Sequence, residues 1–498
     1  MLALLAVLMG TALRFTGLGD KVYWHDEVYT ALRVSGYTSA DYAGNAFANR
    51  IYSAEDLLNF QHPAAASGMR ESLRGLMSRP EHGPLYYLLT RVGFMFTDDA
   101  RLATRSVAAV LSLLLFPAVM WLWRELFNER LGAWIILGLV ALSPFQLVYA
   151  QEARQYSLWA VMTVAVCAAL LRARRRDDLP AWALYALLIT IGLYTHLMLA
   201  VVVLVHGLWL LWESRAQLKP FAVAVLVAAL LFSPWLWLFH SGLREVGHVT
   251  AWMQVEISFA RLSNAWGLHL VRQFVDTATM KVPQPWLYGV LVLLFYGLYR
   301  TARSAPMASK RLLFIMLVIT LGVVVAPDLI NGGRRSQEAR YLFPALLMLM
   351  FMVAYGLADA LNTERSLQRN LAFSVWLGLL GLGLWSGLNF IQAETWWNKS
   401  MSSHNREVAR LIDAGKQPLV ICPVGDINPG EVLSVAHEVD PRTRFMLVQF
   451  DYQPDVPQIK GDIFLINPTA EIRQYVEKFG VVTEVHPQGR LWRFTPAS

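Results

Sequence analysis

Charge is what this 498-residue chain has least of. Only 16% of its residues are Asp, Glu, Lys or Arg, against roughly 25% in soluble globular proteins. With 56% of residues hydrophobic, most of the surface must meet lipid. Cysteine is nearly absent, at two residues, Cys167 and Cys422, which excludes a disulfide framework. No glycine period, heptad array or 20–50-residue repeat is present, so the chain is neither fibrous nor a solenoid. The net charge of +7 does not imply a nucleic-acid partner. Its basic residues fall in short runs between apolar stretches, such as Arg172, Arg174, Arg175, Arg176 and Arg300, Arg303, Lys310, Arg311, the pattern of cytoplasmic loops.

Apolar runs near the roughly 20 residues that cross a bilayer predict about eleven spans, near 2–18, 100–123, 132–150, 156–171, 180–195, 197–212, 220–239, 286–301, 312–328, 341–358 and 371–391. Met1–Leu18 has the length of a signal peptide but neither a basic start nor an A-x-A site, and reads as the first span. Trp182–Trp212 is too long for one untilted span and is divided at Tyr194-Thr195-His196. The N-terminus is then inside, and the short outer loops hold four arginines, Arg154, Arg334, Arg335 and Arg340.

Outside lie a long loop at 19–99, another at 240–285, and the C-terminal tail. The first is too long for a connector, and its amphipathic pattern from Pro84 to Phe94 suggests helices lying in the interface plane. The tail alternates β-rich runs at Leu419–Cys422, Phe445–Gln449, Ile463–Ile466 and Val481–Val485 with helical patterns at Glu431–Glu438 and Ala470–Phe479. The expected fold is mainly α. A polytopic transmembrane helical bundle occupies 1–395, and a small α/β domain at 396–498 lies on the outer side.

Polar clusters interrupt the apolar sequence, all on the outer face. They are His25-Asp26-Glu27 with Tyr29; Glu81-His82-Gly83-Pro84 with Tyr86; Gln151-Glu152-Ala153-Arg154-Gln155-Tyr156; Tyr194-Thr195-His196; and Arg334-Arg335-Ser336-Gln337-Glu338-Ala339-Arg340-Tyr341. Ionisable groups near a membrane are costly without partners, so acids and bases gathered at one face point to a functional site rather than to solvation alone. Asp26 and Glu27 are adjacent, diverge by about 100° on a helix and must differ in role. Asp26 shares a face with Tyr29 and Thr30 and is placed to take a proton; Glu27 binds or orients hydroxyls or holds its neighbours. Arginine suits phosphate oxygens, which its fork grips with two parallel hydrogen bonds. In 151–156, read as helical, Gln151 and Arg154 or Gln155 share one face and Glu152 and Tyr156 another, so Arg154 either meets substrate or pairs with an acid. A lone histidine is more often a hydrogen-bonding group than a ligand. His25, His82 and His196 lack HxxxH-type spacing, so a divalent metal is left open.

At these residues the sequence resembles the GT-C glycosyltransferases, specifically glycosyltransferase family 39 and its bacterial relatives, the protein O-mannosyltransferases and lipid A aminoarabinose transferases. The resemblance rests on Trp24-His25-Asp26-Glu27-Val28-Tyr29 after the first span, and on His82-Gly83-Pro84-Leu85-Tyr86-Tyr87 before the second. It rests also on Ser143-Pro144-Phe145 with Gln151–Tyr156, on Tyr194-Thr195-His196, and on Gln337–Leu342. It leaves the tail from about 396 aside.

The resemblance implies transfer of a sugar from a polyprenyl-phosphate donor to an acceptor hydroxyl on a lipid, glycan or protein, with inversion and with Asp26 as the favoured base. Arg340, Arg335 and Arg334 would stabilise the departing phosphate. It also implies a multi-pass protein of the bacterial inner membrane, its site and tail facing the periplasm or exterior; family members differ in metal dependence. The competing reading is a transporter or flippase of a lipid-linked substrate, which would show charges near midplane and two similar halves. The spans here are mostly clean and not duplicated.

Overall fold

The structure, a computed structural model, describes residues 1–63, 68–283, 285–425, 427–487 and 489–496. The chain divides into two compact units. One, the membrane unit, comprises Met1–Thr16, Arg79–Tyr86 and Arg105–Gln392; the other, an α/β unit, comprises Gly17–Ser78, Tyr87–Thr104 and Ala393–Ser498.

Every expected span coincides with helix. Six helical segments among the described residues are long and apolar enough to cross a membrane: Ala100–Phe127, Tyr156–Arg176, Arg215–Ser241, Met307–Asn331, Ala339–Leu361 and Ser366–Ser402. The pair Leu131–Leu142 and Pro144–Ala150 makes a seventh if counted as one bent span. Leu2–Phe15, Leu179–Thr195 and Leu199–Glu213 are shorter apolar helices, and Trp286–Ser304 is a 19-residue helix. Burial sorts them into two kinds. The apolar stretch of Tyr156–Arg176 is 94% buried and that of Arg215–Ser241 only 22%, so the first is hydrophobic all round because protein surrounds it, the second because lipid does.

The breaks have local causes. Pro disfavours helix in the residue before it, and Ser143, ahead of Pro144, is extended at ψ 121° where the helix axis turns by 56°. Its hydroxyl donates to the Gln273 carbonyl at 2.9 Å. His196 is likewise extended, φ −156° and ψ 126°, and separates the two helices where the division at Tyr194-Thr195-His196 places it. Helix Leu2–Phe15 closes on Leu131–Leu142 at Gly10. A Cβ there would stand 2.2 Å from the Ala141 carbonyl oxygen, the same oxygen that accepts from buried Arg14 at 2.7 Å.

The α/β unit is built on a six-stranded mixed sheet of order β1-β3-β2-β4-β6-β5. Its strands are β1 (Arg50–Ser53), β2 (Leu419–Pro423), β3 (Arg444–Val448), β4 (Ile463–Ile466), β5 (Gly480–His486) and β6 (Leu491–Pro496). Strand β2 runs parallel to both β3 and β4, while β1 on β3, β6 on β4 and β5 on β6 are antiparallel. Leu419, Ile421, Met446, Val448, Ile463 and Leu465 form one core with Ile472 and Val476 of helix Ala470–Val476.

Two strands were not expected, and one moves the domain boundary. Strand β1 comes from the long segment 19–99, in register Arg50↔Leu447 to Ser53↔Arg444, so the unit is not the tail alone. An edge strand leaves a row of unpaired backbone groups, and β1 supplies their partners. The amphipathic run in the first loop is helix Leu85–Gly93. The reading of 151–156 as helical is corrected: Pro144–Ala150 ends before Gln151 and the next helix begins at Tyr156, leaving Gln151–Gln155 as turns and bends.

Because the segment 19–99 and the tail share a sheet, a protease site inserted between Gln392 and Ala393 should leave the tail bound after cutting. Co-purification of the cleaved tail in mild detergent is the expected result; its release into the flow-through would refute the shared unit.

Candidate functional site

In the α/β unit, the helix His25–Val34 buries Val28, Ala31, Leu32 and Val34 and presents Asp26 and Glu27 in its first turn, where carboxylates face unpaired amides favourably. The two acids are treated differently. Glu27 is fully buried, its Oε2 accepting from the Trp24 amide at 3.4 Å and from Lys399 Nζ at 2.8 Å. Lys399 is itself 2% exposed in its side chain and stands 6.0 Å from the Trp24 ring. A charge so enclosed is tolerated only with such a partner. Asp26 and Tyr29 are half-buried, so Asp26 keeps the access that Glu27 lacks.

His25 leads into a second buried carboxylate. Its ring lies edge-on to Tyr29 at 5.1 Å, and its Nδ1 is 3.5 Å from Glu431 Oε1. Glu431, 1% exposed, accepts from the Ser402 hydroxyl at 2.7 Å and from the Asn405 amide at 3.1 Å, with Arg490 at 3.6 Å. The Ser402 oxygen in turn accepts from the His25 backbone amide at 3.0 Å. Burial alone would raise the Glu431 pKa, but the hydrogen bonds from His25, Ser402 and Asn405 outweigh it and hold the carboxyl below its usual range. Gly430 permits this approach, since a Cβ there would sit 2.4 Å from His25 Nδ1 and 3.0 Å from the Tyr29 ring.

In the membrane unit a basic and aromatic cluster forms where the helices break. Gln151 is structural: its amide donates to the carbonyls of Leu13 and Thr16, each at 2.8 Å, and so seats the end of the first helix. Glu152 and Arg154 are 1% and 3% exposed. Arg154 Nη2 lies 3.4 Å from His82 Nε2, and His82 lies 3.9 Å from Glu81. Tyr156 is shared between cations, with the Arg154 guanidinium 6.0 Å and that of Arg340 5.8 Å from its ring. Arg340 also stands 5.6 Å from the Tyr341 ring, 6.0 Å from that of Trp252, and 3.3 Å from the Glu338 carboxylate. His196 stacks on Trp159 at 4.8 Å and lies 6.3 Å from Tyr156.

The remaining arginines separate from these. Arg335 is paired with the buried Asp328 at 3.0 Å, whose other oxygen accepts from the Ser336 amide and hydroxyl at 2.6 and 2.8 Å. Arg334 lies 5.8 Å from the Trp252 ring, its amide donating to the Met253 carbonyl at 2.9 Å. Tyr86 is fully buried. The sequence reading had passed over Lys399, Ser402, Asn405 and Glu431, whose only signal was a lysine just after Trp396-Trp397-Asn398. It had also passed over Trp159 and Trp252, which look like ordinary apolar residues in sequence.

Residues 81–238 match the family model described as dolichyl-phosphate-mannose-protein mannosyltransferase. The fold is similar to that of ArnT from Cupriavidus metallidurans, in the apo state (TM-score 0.56, 14% identity, 99% of this chain and 97% of that one). It is equally similar to the same protein bound to undecaprenyl phosphate (0.54, 12%, 99% and 97%). The Archaeoglobus fulgidus oligosaccharyltransferase tethered with an acceptor peptide is also similar (0.52, 13%, 100% and 74%). No curated protein matches in sequence. Over its whole length the chain thus shares the fold of these proteins, and its residues 81–238 match the mannosyltransferase family model.

Two outcomes test the charge networks. Replacing Lys399 by Met should cost about 3–5 kcal/mol, the usual loss when one partner of a buried pair is removed, read by denaturant unfolding of the detergent-solubilised protein. Because the folded pKa of Glu431 is depressed, its contribution is complete above the unfolded carboxyl value, about 4.3, and is lost as pH falls through the folded value. Glu431→Gln should therefore melt below the wild type at pH 7, with the gap closing under acid. A gap unchanged by pH would show that Glu431 is not ionised in the fold.

Proposed function

We propose that this chain transfers a hexosyl or pentosyl group from a polyprenyl-phosphate donor to an acceptor hydroxyl on the non-cytoplasmic face of a bacterial inner membrane. The observation that carries the reading is the unequal burial of the acidic pair. Glu27 is enclosed with Lys399, while Asp26 next to it keeps access to solvent, which suits a base that must reach a substrate proton. The undecaprenyl phosphate held by the C. metallidurans protein supports a lipid-phosphate donor. The peptide held by the archaeal enzyme supports an acceptor presented to the same fold.

In this reaction Asp26 takes the acceptor hydroxyl proton as that oxygen bonds to the anomeric carbon. The bond from that carbon to the phosphate oxygen breaks, and its electron pair leaves with the lipid phosphate. One direct displacement inverts the anomeric centre. Within the membrane unit, Arg340 and Arg154 are the cations suited to a phosphate, whose charge such groups stabilise. Arg335 is committed to Asp328 and serves the loop instead. Lys399 is a positioning residue that fixes Glu27 and with it the first turn bearing Asp26.

Transfer of radiolabelled sugar from polyprenyl-phosphate donors in proteoliposomes should fall by roughly 10²–10⁴-fold in Asp26→Asn, the range for a positioned acid–base group, with folding matched to wild type. Unchanged donor consumption would remove Asp26 as the base. Movement of intact donor across the bilayer without consumption would favour a transporter.

A further inference from the structure

Outside the residues used above, the α/β unit holds a second concentration of ligating side chains. His404 immediately precedes the helix Asn405–Asp413, and Glu407 lies three residues on, one turn along the same face. His486 ends strand β5, just beyond a register irregularity between Glu484 and His486. Such bulges re-aim a side chain out of the regular alternation. One ligand atom from each of the three lies within 4.8 Å of those of the other two.

We propose that His404, Glu407 and His486 form a site for a zinc-class divalent cation. The argument starts with His486, whose side chain is only 4% exposed. Its Nδ1 lies 3.1 Å from the Pro487 carbonyl oxygen, a group that can only accept, so Nδ1 carries the hydrogen. Nε2 faces the Glu407 carboxylate, 3.4 Å away. Metal-bound imidazoles are oriented in this way, one nitrogen donating to a carbonyl and the other ligating.

The distances suit a shared ion. A charge-assisted hydrogen bond closes to about 2.7–2.9 Å, whereas two ligands each about 2.0–2.2 Å from a tetrahedral zinc lie roughly 3.4 Å apart. Glu407 Oε2 is 3.4 Å from His486 Nε2 and 3.8 Å from His404 Nδ1, near the second spacing. The two imidazole rings sit 5.1 Å apart at 58° rather than stacked. His404 and Glu407 are 43% and 62% exposed in their side chains, which leaves an entry path and room for a water as fourth ligand.

Two imidazoles and one carboxylate favour zinc and its neighbours over magnesium or calcium, which take all-oxygen sets. The bound ion would tie the start of the helix Asn405–Asp413 to the end of β5.

The test is zinc binding to the full-length protein in detergent, freed of metal by a chelator. It is read by calorimetry and by elemental analysis after desalting, neither of which depends on sugar transfer. One zinc per chain is expected, with a rise in melting temperature. His404→Ala, an exposed change that keeps the fold, and His486→Gln should each weaken binding at least tenfold and abolish that rise; His62→Gln should change neither. Wild type that binds no zinc, or either variant binding as tightly as wild type, would overturn the site.

Discussion

Glu27 and Lys399 are 372 positions apart in the chain and meet at 2.8 Å with almost no exposure. Desolvating either ion alone costs several kcal/mol, so each is tolerable only where the other is present. This makes the pair a condition on folding. The segment after the first helix must come to the tail, and the turn that follows the last long helix must place its lysine at the start of the helix His25–Val34. Strand β1 on β3 and Glu431 beneath His25 depend on the same association.

In consequence the two neighbouring acids have different freedoms. Glu27 spends its charge on Lys399 and the Trp24 amide, and Asp26 remains half-buried at the same helix start. A sequence holding Asp-Glu leaves both assignments open; the lysine that separates them arrives from the far end of the chain. The membrane unit works by another route. There the helices are interrupted at Ser143-Pro144, at Gln151–Gln155 and at His196, and the interruptions admit polar side chains that continuous helices would exclude. Irregular backbone next to membrane helices is tolerated where protein buries it, as it does Glu152 and Arg154.

Much of this was legible in the residues. Apolar runs of about 20 residues correspond to helices because no other open-ended segment satisfies its backbone in lipid. The division at Tyr194-Thr195-His196 and the four β-rich runs of the tail rest on equally local chemistry. Strand β1 was not legible, since Arg50-Ile51-Tyr52-Ser53 is four residues long and is a strand only because β3 offers it an edge. Nor were the turns at Gln151–Gln155, where a helical pattern was the natural reading and the ties from Gln151 to Leu13 and Thr16 prevailed.

By itself, then, the sequence determined that the chain enters a membrane many times, that its acids, arginines and histidines gather at the ends of apolar helices, and that the tail is α/β. These follow from hydropathy and spacing, which are properties of neighbours along the chain. Tertiary structure alone decided that the segment 19–99 joins the tail in one sheet, that Lys399 takes Glu27 while Asp26 is half-buried, and that Arg335 pairs with Asp328 while Arg340 and Arg154 flank Tyr156. Most of those choices are made across long stretches of chain, and all are set by which buried charge finds its partner, which no local pattern encodes.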